Sequence, residues 1–197
     1  MHKTIVINKA TVSRGKALRK IVASEYERQG YLATDDEELV HSPHYDGLFG
    51  VRFVAEKSDG DPIGTIALAI DSPQLLPMDA LYHDELMVLR EKGLQLGEVG
   101  QFAVTKELPL LKRMHIIQKL FAAIMKELGA RDVDAVVIAV NPKHDQTYTL
   151  LGFSTFAAVK PYPAVSGALA VPKIKLLSRE PAKGILSALT PLHHAPI

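Results

Sequence analysis

Glu98 lies inside Leu96 to Val104, a run that is otherwise apolar or small apart from Gln101. A carboxylate partly buried beside apolar neighbours is tuned upward toward the working pH, which is what a general base requires. The other reading is a strand-end glutamate that faces solvent or pairs with Lys106. Asn141 stands just after a buried run and before Pro142, where asparagine caps a following helix well. His144 falls in the first turn of that helix, as a proton-transfer group or as a structural, exposed imidazole. His41, His44 and Asp46 have three-residue and two-residue spacings that could hold a metal. They sit on a proline-interrupted loop with no glutamate base and no distant third ligand, so the expectation is no metal. The chain has no cysteine, which excludes a cysteine nucleophile, thiolate metal sites and disulfides.

These side chains need elements to hold them. Val12, Ala17, Leu18, Ile21, Val22 and Tyr26 share a three-to-four spacing that predicts a helix over Val12 to Arg28, ended by Gly30. Leu48 to Lys57 and Ile63 to Ile70 read as a strand hairpin around the turn residues Ser58 to Pro62. A helix is predicted from Ala80 to Lys92, then a strand from Leu96 to Val104. Pro109 opens a helix running to about Leu128, which Gly129 closes. On that helix Met114, Ile117, Leu120, Phe121, Ile124, Met125 and Leu128 form an apolar stripe, either facing the core or lining an apolar channel. The β-branched run Ala135 to Val140 predicts a strand covered on both faces. A short helix between Pro142 and Leu150, a strand over Gly152 to Val159 and one more over Val171 to Leu177 complete an α/β or α+β domain with a mixed sheet. The domain is expected over 1–180, with a tail over 181–197.

The chain has 197 residues, 47% of them apolar, enough for one domain with its own core. Lys and Arg number 23 against 22 Asp and Glu, so no overall field draws the protein to nucleic acid or an acidic membrane surface. The longest clean apolar run, Ala135 to Val140, falls far short of the ~20 residues of a membrane-spanning helix. Met1 to Thr4, followed by three aliphatic residues, is too weak for a secretory signal. The expected location is the cytoplasm.

The segment Asn141-Pro142-Lys143-His144, with Tyr148 and Leu151-Gly152-Phe153 following at fixed distances, resembles the C-terminal half of the GNAT acyltransferase fold. More narrowly, it is similar to the long-chain N-acyl amino acid synthases, relatives of the acyl-homoserine-lactone autoinducer synthases. Ile63-Gly64-Thr65, Leu76-Pro77-Met78-Asp79, Glu85-Leu86 with Leu89-Arg90, Glu98 to Val104 and Tyr162-Pro163-Ala164-Val165 agree with that branch. The resemblance covers roughly Gly15 to Leu177. It implies a mostly antiparallel central sheet with helices on both faces and a splayed fourth and fifth strand pair. It also implies an enzyme that transfers an acyl group directly to an amine, with no tightly bound cofactor.

The roles implied by the resemblance fall on particular residues. Glu98 would take the proton from the amine, and Tyr148 would protonate the leaving sulfur or touch the donor arm, or simply pack on the sheet. His144 gains a functional role. Phe102, Ala103 and Val104 would bind pantetheine and polarise the thioester through main chain, and Asn141 would bond the pantetheine amide. Asp46 would contact the substrate amine, and Gln101 would also fall in the acceptor site. The glycine loop that cradles pyrophosphate in acetyl-CoA-dependent relatives is replaced by Leu110-Leu111-Lys112-Arg113-Met114-His115-Ile116, without glycine. This favours acyl carrier protein over acyl-CoA as donor, with Lys112 and Arg113 facing an acidic carrier protein or a single phosphate. Gln101 stands where the homoserine-lactone branch has an arginine, which argues against a homoserine-lactone product. The acceptor is expected to be an amino acid or similar small amine. The alternatives are a catalytically silent module that binds an acyl chain or partner protein, and an acetyl-CoA-dependent N-acetyltransferase.

Overall fold

The computed structural model describes residues 5–177, so the expected tail lies outside the described residues. Eight strands join in one sheet. They are β1 (Ile5–Lys9), β2 (Gly50–Lys57), β3 (Pro62–Ile70), β4 (Leu96–Val104), β5 (Ala135–Val140), β6 (Ser154–Thr155), β7 (Lys160–Tyr162) and β8 (Ala168–Leu176). The order is β1-β2-β3-β4-β5-β8-β6, with β7 paired to the start of β8. Every pairing is antiparallel except β4 with β5, which is parallel.

The helices are α1 (Gly15–Arg28), the single turn α2 (Pro43–Asp46), α3 (Asp79–Glu91), α4 (Leu110–Ala130) and α5 (Asp145–Leu150). Strand alternation sends successive side chains to opposite faces, and the two faces have different covers. Ala67, Ala69, Ala135 and Val137 meet Tyr82, Leu86 and Leu89 of α3, while Val22 and Ala23 of α1 pack near Ala103 on β4. Ile66, Leu68 and Val136 meet Ile116, Leu120, Ile124 and Leu128 of α4. Ile138 and Val140 meet Tyr148 of α5 and Phe153. Burying each large α4 side chain contributes roughly 1.5–3 kcal/mol.

Several boundaries differ from expectation, each for a local reason. The predicted first helix begins as a 3-10 turn over Val12–Arg14, with Val12 exposed. Gly129 does not close α4. The helix runs through it to Ala130, Asp132 takes the left-handed conformation at φ +50°, and Val133 N–H returns to Leu128 O. The expected strand over Gly152 to Val159 shrinks to Ser154–Thr155, because Phe156 turns into the α3 core. β1 and β7 were not expected. The apolar stripe of α4 centres on Ile116, Leu120, Ile124 and Leu128, whereas Met114 and Met125 are about half exposed. It is a core face.

Candidate active site

The parallel pairing of β4 with β5 stops at Glu98 opposite Val137. Beyond that point β4 continues on β3 and β5 continues on β8, so the two strands splay. Ala67 pairs with Gly100 and Thr65 with Ala103, leaving Gln101 and Phe102 opposite Ile66 alone. This is a β-bulge, and Gln101 adopts φ +48°, a left-handed conformation uncommon for residues other than glycine, asparagine and aspartate. Thr105 donates its N–H to Ile63 O on β3. Consecutive strand residues turn their amides to opposite edges, so those of Val104 and Phe102 face the edge β5 has left.

A cavity of about 350 Å³ opens at the splay. Its wall mixes apolar residues, among them Val99, Ala139, Val140, Val165 and Ala168 to Ala170, with the polar side chains of Tyr26, Tyr31, His41, Ser42, His44, Tyr45, Glu98 and Gln101. None of the α4 stripe lines it.

Glu98 is buried at the root of the splay. Met78 N–H donates to its Oε2 at 2.7 Å, and the Tyr45 hydroxyl lies 3.5 Å from Oε1. Burial pushes its pKa up to about 8; the charge of Asp79 adds to the rise, while the Met78 amide and Tyr45 hydroxyl oppose it. The Met78 amide is aimed by a fixed turn. Asp79 accepts from Leu76 N–H at 2.7 Å and, with Asp71, grips the Arg90 guanidinium at 2.6–3.0 Å. Tyr45 reaches β4 only because position 100 is glycine: a Cβ there would lie 2.2 Å from the Tyr45 hydroxyl oxygen. Burial raises the Tyr45 pKa, with the Glu98 charge adding, so its hydroxyl stays protonated.

Gln101 is held on both sides. Its Oε1 accepts from Arg52 of β2 and its Nε2 donates to Val40 O. Arg52 is itself buried, donates from Nε to Asp46 Oδ1 at 2.6 Å, and stands 5.6 Å from the centre of the Tyr45 ring. The guanidinium beside position 101 thus comes from β2, two strands away across β3. Arg52 was not among the expected site residues, although a charge inside the run Leu48 to Lys57 carries the signal that singles out Glu98. Tyr26, Tyr31 and the Met78 amide also escaped notice, since sequence spacing cannot say which loop closes over which strand.

The expected residues are distributed unevenly. Glu98, Gln101 and Asn141 line the cavity. Asn141 Oδ1 accepts from Lys143 N–H at 3.1 Å, capping the turn that leads into α5. Tyr148 stands outside the cavity wall, edge-on to Phe153 with ring centres 5.8 Å apart, and burial raises its pKa. His144 is exposed at the start of α5, its pKa lowered by partial desolvation and by Lys143. Phe102 packs on Phe121 of α4, and Ala103 and Val104 are buried; by the same alternation the Ala103 amide faces β3, while that of Val104 faces the open edge. Lys112 is exposed on the first turn of α4 and Arg113 half-buried. Asp46 lies outside the cavity wall, engaged by Arg52 and, at 3.8 Å, by Arg19. Among the described residues no group of three His, Asp or Glu side chains could hold a metal ion, and no helix is long and apolar enough to cross a membrane.

A splayed parallel pair, a bulge beside it and a buried carboxylate at its root define an acyltransferase of the GNAT fold. Solved structures agree. The acyl-homoserine-lactone synthase LasI superposes with a TM-score of 0.59 at 15% identity, covering 87% of this chain and 90% of that one. A GNAT acetyltransferase from Staphylococcus aureus gives 0.60 at 15% identity, with 89% and 100% covered. FeeM, an N-acyl amino acid synthase from uncultured soil microbes, gives 0.75 at 32% identity, with 88% and 91% covered. The family model for N-acyl amino acid synthase FeeM matches residues 17–173. No curated protein sequence matches significantly. The chain belongs to the FeeM N-acyl amino acid synthase family.

Proposed function

We propose that this acyltransferase moves a long acyl group from acyl carrier protein to the α-amine of an amino acid, by direct attack and without an acyl-enzyme. The observation that carries the reading is Glu98, buried at the root of the splay and lining a cavity whose wall holds both polar and apolar side chains. A carboxylate with a pKa of about 8 is matched to an amine near neutral pH: its ionised form accepts a proton that an ordinary glutamate would hold weakly.

The amine nitrogen attacks the thioester carbon while Glu98 takes its proton. The oxyanion forms where the Phe102 and Val104 amides face, which is where preorganised donors act most strongly. The carbon–sulfur bond then breaks, giving an amide, and the thiolate takes a proton. Tyr148, beside the cavity and kept protonated by burial, is the candidate donor, and Asn141 is the candidate contact for the donor's pantetheine arm. The apolar wall of Val99, Ala139, Val165 and Ala168 to Ala170 suits an acyl chain. The carrier-protein donor is favoured by the glycine-free start of α4 with its exposed Lys112.

Purified protein offered acyl-acyl carrier protein and the matching acyl-CoA separately tests this reading. Amide from the carrier protein at a kcat/KM at least tenfold above that from acyl-CoA is expected. Equal use of both refutes the carrier-protein assignment. Transfer from neither refutes the synthase reading.

A further inference from the structure

Two polar atoms of the cavity wall are buried and make no hydrogen bond: Nδ1 of His44 and the hydroxyl oxygen of Tyr31. Buried polar atoms are almost always paired, so an unpaired one at a cavity marks a group whose partner arrives with a ligand. Both belong to the segment from the end of α1 to α2 that contributes to the cavity wall, and His44 immediately precedes Tyr45, whose hydroxyl approaches Glu98. His41, the other imidazole in the wall, has a carboxylate beside it, with Nε2 4.0 Å from Asp46. The His44 backbone is firmly seated, because Gly50 packs so closely that a Cβ there would lie 2.5 Å from His44 O. Outside the wall, the exposed Lys143 donates from Nζ to Gln29 Oε1 at 2.7 Å and stands 4.6 Å from the centre of the Tyr31 ring. The wall that holds the Glu98 carboxylate therefore also holds two buried polar atoms that a ligand can pair, the His44 Nδ1 and the Tyr31 hydroxyl.

We propose that this wall is the acceptor's carboxylate subsite, with His44 Nδ1–H as the anchoring donor and the Tyr31 hydroxyl in support. This rests on the N-acyltransferase reading above and deepens it: the acceptor is an α-amino acid whose ammonium is directed to Glu98 by a carboxylate held at His44. An amine without a carboxylate leaves the His44 donor unpaired. A site built to bond a substrate group discriminates strongly against analogues lacking it.

The test compares an amino acid with the amine of the same side chain lacking the carboxylate, using one acyl donor, in wild type, His44→Leu and His44→Asn. Asparagine places an amide N–H near the position of Nδ1. Wild type is expected to favour the amino acid by at least a hundredfold in kcat/KM, His44→Leu to cut that ratio at least tenfold mainly through acceptor KM, and His44→Asn to restore most of it. A wild-type ratio near one overturns the subsite while leaving acyl transfer intact. A His44→Leu loss that strikes both acceptors alike, or that appears in donor KM instead, also overturns it. Acylation of neither amine by wild type defeats the underlying reading and the subsite with it.

Discussion

Replacing Glu98 with glutamine separates the electrostatic account of the site from any packing account, because glutamine fills nearly the same volume and cannot ionise. With a folded-state pKa of about 8 against about 4.5 when unfolded, Glu98 binds its proton more tightly in the folded protein. The sign follows: the folded state loses stability as pH rises from about 4.5 toward 8, and the loss levels off above that. At pH 5 the linkage costs roughly 1 kcal/mol and at pH 8 roughly 4. The stability of Glu98→Gln relative to wild type should therefore increase by about 3 kcal/mol between these two pH values. Urea unfolding of both proteins at pH 5 and pH 8 measures it directly. A difference between them that does not change with pH would refute the claim that burial raises the pKa of this carboxyl, and the general-base argument built on that rise.

Gly100→Ala pushes a methyl group into the Tyr45 hydroxyl, so it should cost about 1–3 kcal/mol of stability and lower kcat/KM at least tenfold; an unfolding midpoint and turnover like wild type would show that Tyr45 need not touch β4. Arg52→Met leaves Gln101 Oε1 and Asp46 without their shared partner and should destabilise by about 3 kcal/mol, the low end for a broken buried pair because Asp46 keeps Arg19 nearby. A change under about 1 kcal/mol in chemical unfolding would mean that this network does not hold the bulge.

The sheet and its main helices were legible because their periodicities are long and regular. The alternation of Ala135 to Val140 between an α3 face and an α4–α5 face is a case where pattern and packing coincide. β1 is five residues at a sheet edge with only Ile5 and Ile7 turned inward, too short a signal to separate from a loop. The end of α4 was misplaced because glycine was read as a stop, whereas the i to i−4 bonds continue and Asp132 supplies the left-handed residue.

The site divides along similar lines. Glu98 was visible as a charge in an apolar strand, and Asn141 as a residue between a buried strand and a proline. What surrounds Glu98 was not visible. The Met78 amide, the Tyr45 hydroxyl and the Arg52–Gln101 pair reach it or its strand across 20, 53 and 49 residues of chain, and no local pattern encodes such meetings. Asp46 illustrates the converse. The resemblance implied an amine contact for it, and no local pattern announced that its carboxylate is paired with Arg52 and Arg19 outside the cavity wall.

The most direct measurement is mass spectrometry of lipid extracts from a bacterial host producing this chain, set against the Glu98→Gln variant and an empty vector. Many amines and the host's own acyl carrier proteins are sampled together. A new N-acyl amino acid, present with the wild-type chain and absent or at least a hundredfold reduced with the folded variant, is the predicted result. No new amide from folded wild-type protein, or an amide that Glu98→Gln makes equally well, would contradict acyl transfer driven by this carboxylate.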